Sequence, residues 1–229
     1  MRKLGLVGGI GPESTVPYYM GIVYGVQKEL GVRCFPNLTI ESVDVYHTFE
    51  LFDQGKIEEY IAYFAKAIEN LAAAGADFAA LTGNTPHIFF AELKARARIP
   101  LVSMLETTKN EVLRQGYKKV ALLGTSYTMQ SDYYQKVLAG AALAVPPQAE
   151  EIDFIGAKIR NELELGIKNQ QTLEELQKII VRMHKDEGVE AVILGCTELP
   201  LLLNSETCPL PCIDTMEVHI KELIRLIVA

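Results

Sequence analysis

The chain has little that would send it to a membrane or to nucleic acid. It holds no apolar run of about 18 residues, the length a helix needs to cross a bilayer. Positive charge is in the minority: 22 Lys and Arg stand against 29 Asp and Glu, for a net charge of −7. That balance argues against nucleic acid and anionic lipid as partners, because both demand a positive surface. It leaves open a small anion held by a local cluster of donors. Cysteine is also scarce, at four residues: Cys34, Cys196, Cys208 and Cys212. The opening stretch, MRKLGLVGGIGPEST, is too short in apolar residues and too rich in glycine for a secretory signal. A reducing, cytoplasmic setting is therefore expected. Cys208 and Cys212 enclose Pro209 and Pro211 and have no matching second pair, so no zinc site is expected. The turn GGIGPEST lacks the lysine of a phosphate-binding loop and does not meet the GxGxxG spacing, which argues against a nucleotide.

What is present is core-forming material. Hydrophobic residues make up 49% of 229 residues, enough for one large domain or two small ones. Short apolar runs at Leu4 to Val7, Leu38 to Val45, Phe78 to Leu81, Leu101 to Val102, Val120 to Leu123 and Val192 to Leu194 read as strands, with a last short strand ending at Ile213. Helices are expected over Lys56 to Ala74, Thr107 to Arg114, Asp132 to Leu138, Leu173 to His184 and Glu217 to Leu226. Strands alternating with helices predict an α/β fold with mainly parallel sheets.

The stretch AVILGCTELP, Ala191 to Pro200, concentrates the chemistry. A buried strand ends in Gly195, and Cys196 follows at its carboxyl edge, where open α/β sheets bind ligands. An apolar run, Leu199 to Leu203, can begin a helix there. A thiol at a helix N-terminus is pushed toward thiolate and becomes a base and nucleophile. The alternative is that Cys196 is an ordinary small core residue.

The two halves repeat one another. Gly8 corresponds to Gly124 and Gly83 to Cys196, each at an offset near half the chain. In each half a strand with a glycine turn comes first, and an apolar strand ending in small polar residues comes third. This predicts two similar three-layer α/β/α lobes, residues 1–105 and 106–212, with strand ends of both lining one cleft. Residues 213–229 are expected to close the chain with a helix packing back on the first lobe.

The motifs GGIGPEST (Gly8 to Thr15), SVD (Ser42 to Asp44), NTPH (Asn84 to His87), LLGTSYT (Leu122 to Thr128), GCTELP (Gly195 to Pro200) and DTMEVH (Asp214 to His219) together resemble the aspartate/glutamate racemase superfamily. The likeness spans nearly the whole chain in order. It implies a cofactor-independent isomerase acting on a small carboxylate or amino acid, with no pyridoxal phosphate and no metal, and a homodimer as the assembly. In the racemases of that superfamily two cysteines flank the α-carbon: one thiolate removes the proton and the opposite thiol returns one to the other face. The resemblance assigns Cys196 to one of these. The other position, directly before the NT of NTPH, is Gly83, with Thr82 before it. Glycine has no side-chain proton to give, and a hydroxyl is a far weaker acid than a thiol. A lone cysteine opposite a small residue resembles the arylmalonate decarboxylase branch, while the rest of the chain is closer to the aspartate racemases.

Asn84, Thr85, Thr125, Ser126 and Thr197 are donors at strand ends or in glycine-flanked turns, suited to cradling a carboxylate or, taken singly, to capping helices. Asp44 and His47 follow the second strand, where the superfamily offers a cation to a distal carboxylate; no arginine is present there. His219 either orients Cys196 or caps the last helix. The expected activity is amino-acid racemisation of the aspartate/glutamate type, either impaired or limited in stereochemistry by Gly83. Alternatives are a single-cysteine decarboxylase or isomerase of a small carboxylate, and a protein that binds an acidic metabolite without turning it over.

Overall fold

A computed structural model describes the backbone of residues 1–229; the side chains of Pro12 and Glu13 lie outside the described residues. The chain divides into two compact units, residues 1–104 with 219–229, and residues 105–218.

The first unit is built on β1 (Leu4–Gly8), β2 (Leu38–Ser42), β3 (Phe78–Leu81) and β4 (Leu101–Val102), all parallel, in the order β2-β1-β3-β4. Its helices are α1 (Pro12–Leu30), α2 (Val45–Asp53), α3 (Ile57–Ala73) and α4 (Phe90–Arg96). β1 and β3 are buried along their whole length. A parallel sheet is covered on both faces, so its central strands are written as continuous apolar runs rather than as alternations. α3 buries Tyr60, Ile61, Phe64, Ala67, Ile68 and Leu71, one face at helical spacing. Gly75, at φ 81°, takes the left-handed turn just past its end. Phe64, fully buried, shares this core with Val7, Ala79 and Leu81 of the sheet. Truncating a buried phenylalanine to alanine costs about 3–5 kcal/mol.

The second unit repeats the plan. β5 (Lys119–Leu123), β6 (Leu143–Val145), β7 (Ala191–Leu194) and β8 (Cys212–Asp214) run parallel in the order β6-β5-β7-β8. With them go α5 (Met104–Gln115), α6 (Ser126–Gln130), α7 (Tyr133–Leu138), α8 (Ala149–Asn161) and α9 (Gln170–Glu187). α10 (Thr215–Val228) begins in this unit, and its residues from His219 onward belong to the first. Ile152, Ile155 and Ile159 of α8 and Leu176, Ile180 and Met183 of α9 share one core with Ala121, Val192 and Leu194.

Four local expectations change. The second strand stops at Ser42, because Asp44 caps α2: its carboxylate accepts the N–H groups of Tyr46 and His47. α8 has no counterpart in the sequence reading; Gln148 and Glu151 bond each other's backbone at its start, just after Pro146 and Pro147. Cys212–Asp214 extends the second sheet, so a boundary at 213 divides a strand. The run Leu199 to Leu203 forms only a three-residue 3₁₀ turn, Leu199–Leu201, because the chain turns again at Asn204, whose side chain accepts from Glu206 and Thr207.

Candidate active site

In an open parallel sheet the connections leave a central pair of strands in opposite directions, and the carboxyl ends of that pair form a natural crevice. In the first unit the pair is β1 and β3. Their ends are Gly8 to Gly11 and Thr82 to Asn84. In the second unit the pair is β5 and β7, ending in Gly124 to Ser126 and Gly195 to Thr197. Every motif singled out as chemical in the sequence sits at one of these two places or one strand away.

The first unit's edge is held by internal hydrogen bonds. Gly9 and Gly11 adopt φ of 77° and 86°, values that disfavour any side chain. The Thr15 hydroxyl accepts the Gly9 N–H at 2.9 Å, and the Ser14 hydroxyl donates to the Ile10 carbonyl at 3.1 Å. Thr82 is fully buried. Its hydroxyl donates to the Val7 carbonyl at 3.2 Å and lies 3.5 Å from that of Thr15. Thr82 is therefore turned toward the sheet at the end of β3. Gly83 is buried, and its carbonyl bonds His87 Nδ1 at 2.9 Å. His87 Nε2 accepts the Met104 N–H at 3.1 Å, so Nδ1 carries the ring proton. Burial lowers the His87 pKa to about 4, so the ring is neutral and serves as a latch on the Gly83 loop.

In the second unit Cys196 is buried and its thiol donates to Glu198 Oε2 at 2.8 Å. The Thr197 hydroxyl donates to the other oxygen, Oε1, at 2.9 Å. Burial first, and then the Glu198 carboxylate, push the thiol pKa well above its ordinary value, with a smaller push from Glu164. This reverses the expectation of a thiolate. The turn after Cys196 is too short to supply a helix dipole, and the nearest charge is negative. The resting group is a protonated thiol beside a carboxylate, an acid paired with its own base.

The other expected site residues divide. Asn84 is buried at the end of β3, and Thr85 opens the 3₁₀ turn behind it. Thr125 caps α6: its hydroxyl accepts the Thr128 N–H at 3.2 Å and meets the Thr128 hydroxyl at 3.1 Å, which also accepts from Tyr133. Ser126 opens α6, where its Oγ crowds Gly156. Asp44 spends one carboxylate oxygen on capping α2, and the exposed His47 stands 3.8 Å from Glu50. His219 is buried with both nitrogens engaged: Nδ1 meets the Tyr18 hydroxyl at 2.8 Å and Nε2 the Val102 carbonyl at 3.3 Å. Its pKa falls to about 3 through burial, with His87 adding to the shift. It is neither the cap of α10 nor free to hold a thiol; it fastens the start of that helix's second part to α1 and β4. Sequence reasoning passed over Glu198, Ile10 and His87. Each was inside a quoted motif, but only side-chain geometry assigns them a partner.

A family model described as Asp/Glu/hydantoin racemase matches residues 7–223. The broad-specificity amino-acid racemase RacX of Bacillus subtilis is 27% identical over 218 residues, 93% of this chain and 92% of that one. Among solved structures, an aspartate racemase homologue from Pyrococcus horikoshii superposes with a TM-score of 0.89 at 33% identity, over 100% of both chains. The aspartate racemase of Picrophilus torridus shares the fold at a TM-score of 0.78 and 22% identity, over 100% of this chain and 95% of that one. The twin switch points, the thiol at the end of β7 and these likenesses lead to one conclusion: the chain belongs to the Asp/Glu/hydantoin racemase family, a family of isomerases.

Proposed function

We propose that the chain is a cofactor-independent amino-acid racemase of the aspartate/glutamate type in which Cys196 exchanges the proton at the substrate α-carbon. The observation that carries this reading is the 2.8 Å hydrogen bond from the Cys196 thiol to Glu198 at the switch point of the second sheet. Glu198 takes the thiol proton. The thiolate then takes the α-proton, and the C–H electron pair passes to the substrate's carboxylate-stabilised carbanion. The re-formed thiol can return a proton to the same face, which gives exchange with retention. Inversion needs a proton from the opposite face, and the family position for that second thiol is Gly83. Each unit offers a strand end of the kind that suits a carboxylate: Asn84 and Thr85 after β3 in the first, and the turn at Thr197 after β7 in the second. The likeness to a broad-specificity racemase supports testing neutral and basic amino acids beside aspartate and glutamate.

The experiment is α-proton exchange in heavy water, followed by NMR over a panel of amino acids. The native chain should exchange, and Cys196→Ala should lose exchange while keeping its fold. Full activity in Cys196→Ala defeats the reading, and so does the absence of exchange with every amino acid. A second reading has one specific support: the resting thiol is in its donor form. That is the form needed to protonate the enediolate left when a small carboxylate loses carbon dioxide. Carbon dioxide release from a 2-substituted malonate, without amino-acid exchange, would select it.

A further inference from the structure

We infer that Cys208 and Cys212 form a dithiol that takes up a two-electron oxidation from a hydroperoxide by closing an intramolecular disulfide. The inference goes beyond the proposed reaction and does not depend on it. The two cysteines bracket the stretch CPLPC, which lies wholly in the second unit. Pro209 and Pro211 each fix φ at about −65°, so the bridge between the thiols has few conformations. Both of its ends are held. Cys208 closes a turn, its N–H donating to the Asn204 carbonyl at 2.8 Å. Beside it the Thr207 hydroxyl donates to the Leu202 carbonyl at 2.6 Å, and the Gln177 amide of α9 donates to the Thr207 carbonyl at 2.7 Å. Cys212 opens β8 opposite Val192, whose N–H donates to the Pro211 carbonyl at 2.9 Å. Held in this way, the two thiols hydrogen-bond each other. Both side chains pack, half-buried, against the core of the second unit.

The bond between the thiols makes them unequal. Cys208 keeps its proton, and Cys212 is drawn toward thiolate by the bond from Cys208, which outweighs its burial and the carboxylates of Asp214 and Glu217. A partly exposed thiol that leans toward thiolate, with a second thiol beside it, is where oxidants act first. The Cys212 sulfur attacks one peroxide oxygen: an S–O bond forms, the O–O bond breaks, and the other oxygen leaves as hydroxide. That hydroxide takes the proton Cys212 has shed and becomes water. Cys208 then gives up its proton, and its sulfur attacks the sulfenic acid on Cys212. The S–S bond forms, the S–O bond breaks, and a second water leaves with that proton. One hydrogen peroxide is reduced to two waters as two thiols become one disulfide. Cys196 lacks these features, since it is buried and protonated beside Glu198. Cys34 belongs to the first unit, its thiol donating to the Phe35 carbonyl at 3.8 Å. The disulfide closes where β8 begins, whereas Cys196 follows the carboxyl end of β7. Oxidation at the pair therefore leaves Cys196 a thiol.

Three chains test this: native, Cys208→Ser and Cys212→Ser. Each is fully reduced, treated with hydrogen peroxide at neutral pH, alkylated with iodoacetamide and mapped by mass spectrometry without reductant. Cleavage after Glu206 and Glu217 separates residues 207–217 from Cys196. In the native chain that peptide should lose two hydrogens and both alkylation sites, and dithiothreitol should restore them. Its oxidation should run at least about tenfold faster than that of Cys196, because the reacting thiolate is far scarcer at a thiol whose pKa is raised. In Cys208→Ser the first step remains and the second is lost. Cys212 should then stop at a sulfenic acid that dimedone traps, and pass to sulfinic acid with more peroxide. In Cys212→Ser the thiol of Cys208 should stay alkylatable. The native chain decides the proposal even where a variant does not fold. A native Cys212 that reaches sulfinic acid while Cys208 stays a thiol would overturn it. So would a disulfide joining two chains through these residues, or oxidation of Cys196 as fast as that of the pair.

Discussion

Replacing Glu198 with glutamine should make Cys196 more reactive and the enzyme slower. The carboxylate accepts the thiol hydrogen bond at 2.8 Å and, after burial, is the main force raising the thiol pKa. A like charge at such range shifts a pKa by about 1–3 units, so Glu198→Gln should lower the Cys196 value by that much. While the pKa stays above the assay pH, the thiolate fraction rises about 10- to 10³-fold. Intrinsic nucleophilicity falls with the pKa at a Brønsted slope of about 0.4–0.5, so alkylation should accelerate by a net factor of about 3 to 50. The assay is iodoacetamide labelling at pH 8, with the Cys196 peptide followed by mass spectrometry. Cys212 supplies an internal reference: the hydrogen bond with Cys208 lowers its thiol pKa, and Glu198→Gln should leave its labelling unchanged. On the proposed mechanism turnover should move the other way, falling by about 10²-fold or more, because that mechanism has Glu198 accept the thiol proton. Unchanged labelling would show that Glu198 does not control the thiol. Faster labelling with faster turnover would show that Glu198 only restrains Cys196 and takes no proton.

Other outcomes follow from the same structure. His87 and His219 are held neutral at about 4 and about 3, against 6.5 for an ordinary imidazole. The unfolded chain binds more protons than the folded one below pH 6.5, so their stability is complete above that pH and is lost as pH falls toward 4. Each should cost about 1.4 kcal/mol per pH unit in that window, read from urea midpoints; midpoints flat from pH 7 to 4.5 would refute it. Gly195→Ala should destabilise the second unit by about 1–3 kcal/mol, the usual cost of overpacking. The added carbon would sit 2.9 Å from the Leu123 carbonyl, which cannot retreat without breaking its 2.6 Å bond from the Gly195 N–H. An unchanged thermal midpoint would contradict that packing.

The sequence alone determined the repeated α/β plan and which residues stand at the carboxyl ends of its central strands. Periodicity marks which faces are buried, and a strand ending in glycine followed by a small polar residue marks a sheet edge whatever the distant contacts are. β1, β3, β5 and β7 were legible for that reason, and so was the place of Cys196 at the end of β7. α2 was missed because one residue, Asp44, decides between continuing a strand and capping a helix, and that choice depends on which hydrogen bonds it finds. α8 was missed because its apolar face reads weakly until α9 and the sheet cover it. The ionisation of Cys196 could not be read locally at all. The same thiol is a thiolate at a helix dipole and a protonated acid when buried beside Glu198; that carboxylate stands two positions on in the sequence, but only the fold buries the thiol and turns the carboxylate onto it. Tertiary structure likewise engaged both nitrogens of His219 with Tyr18 and Val102. It also set Ile10 against Gly83 across 73 positions of chain (83 − 10), a contact that no local pattern encodes because it depends on two loops meeting at the ends of paired strands.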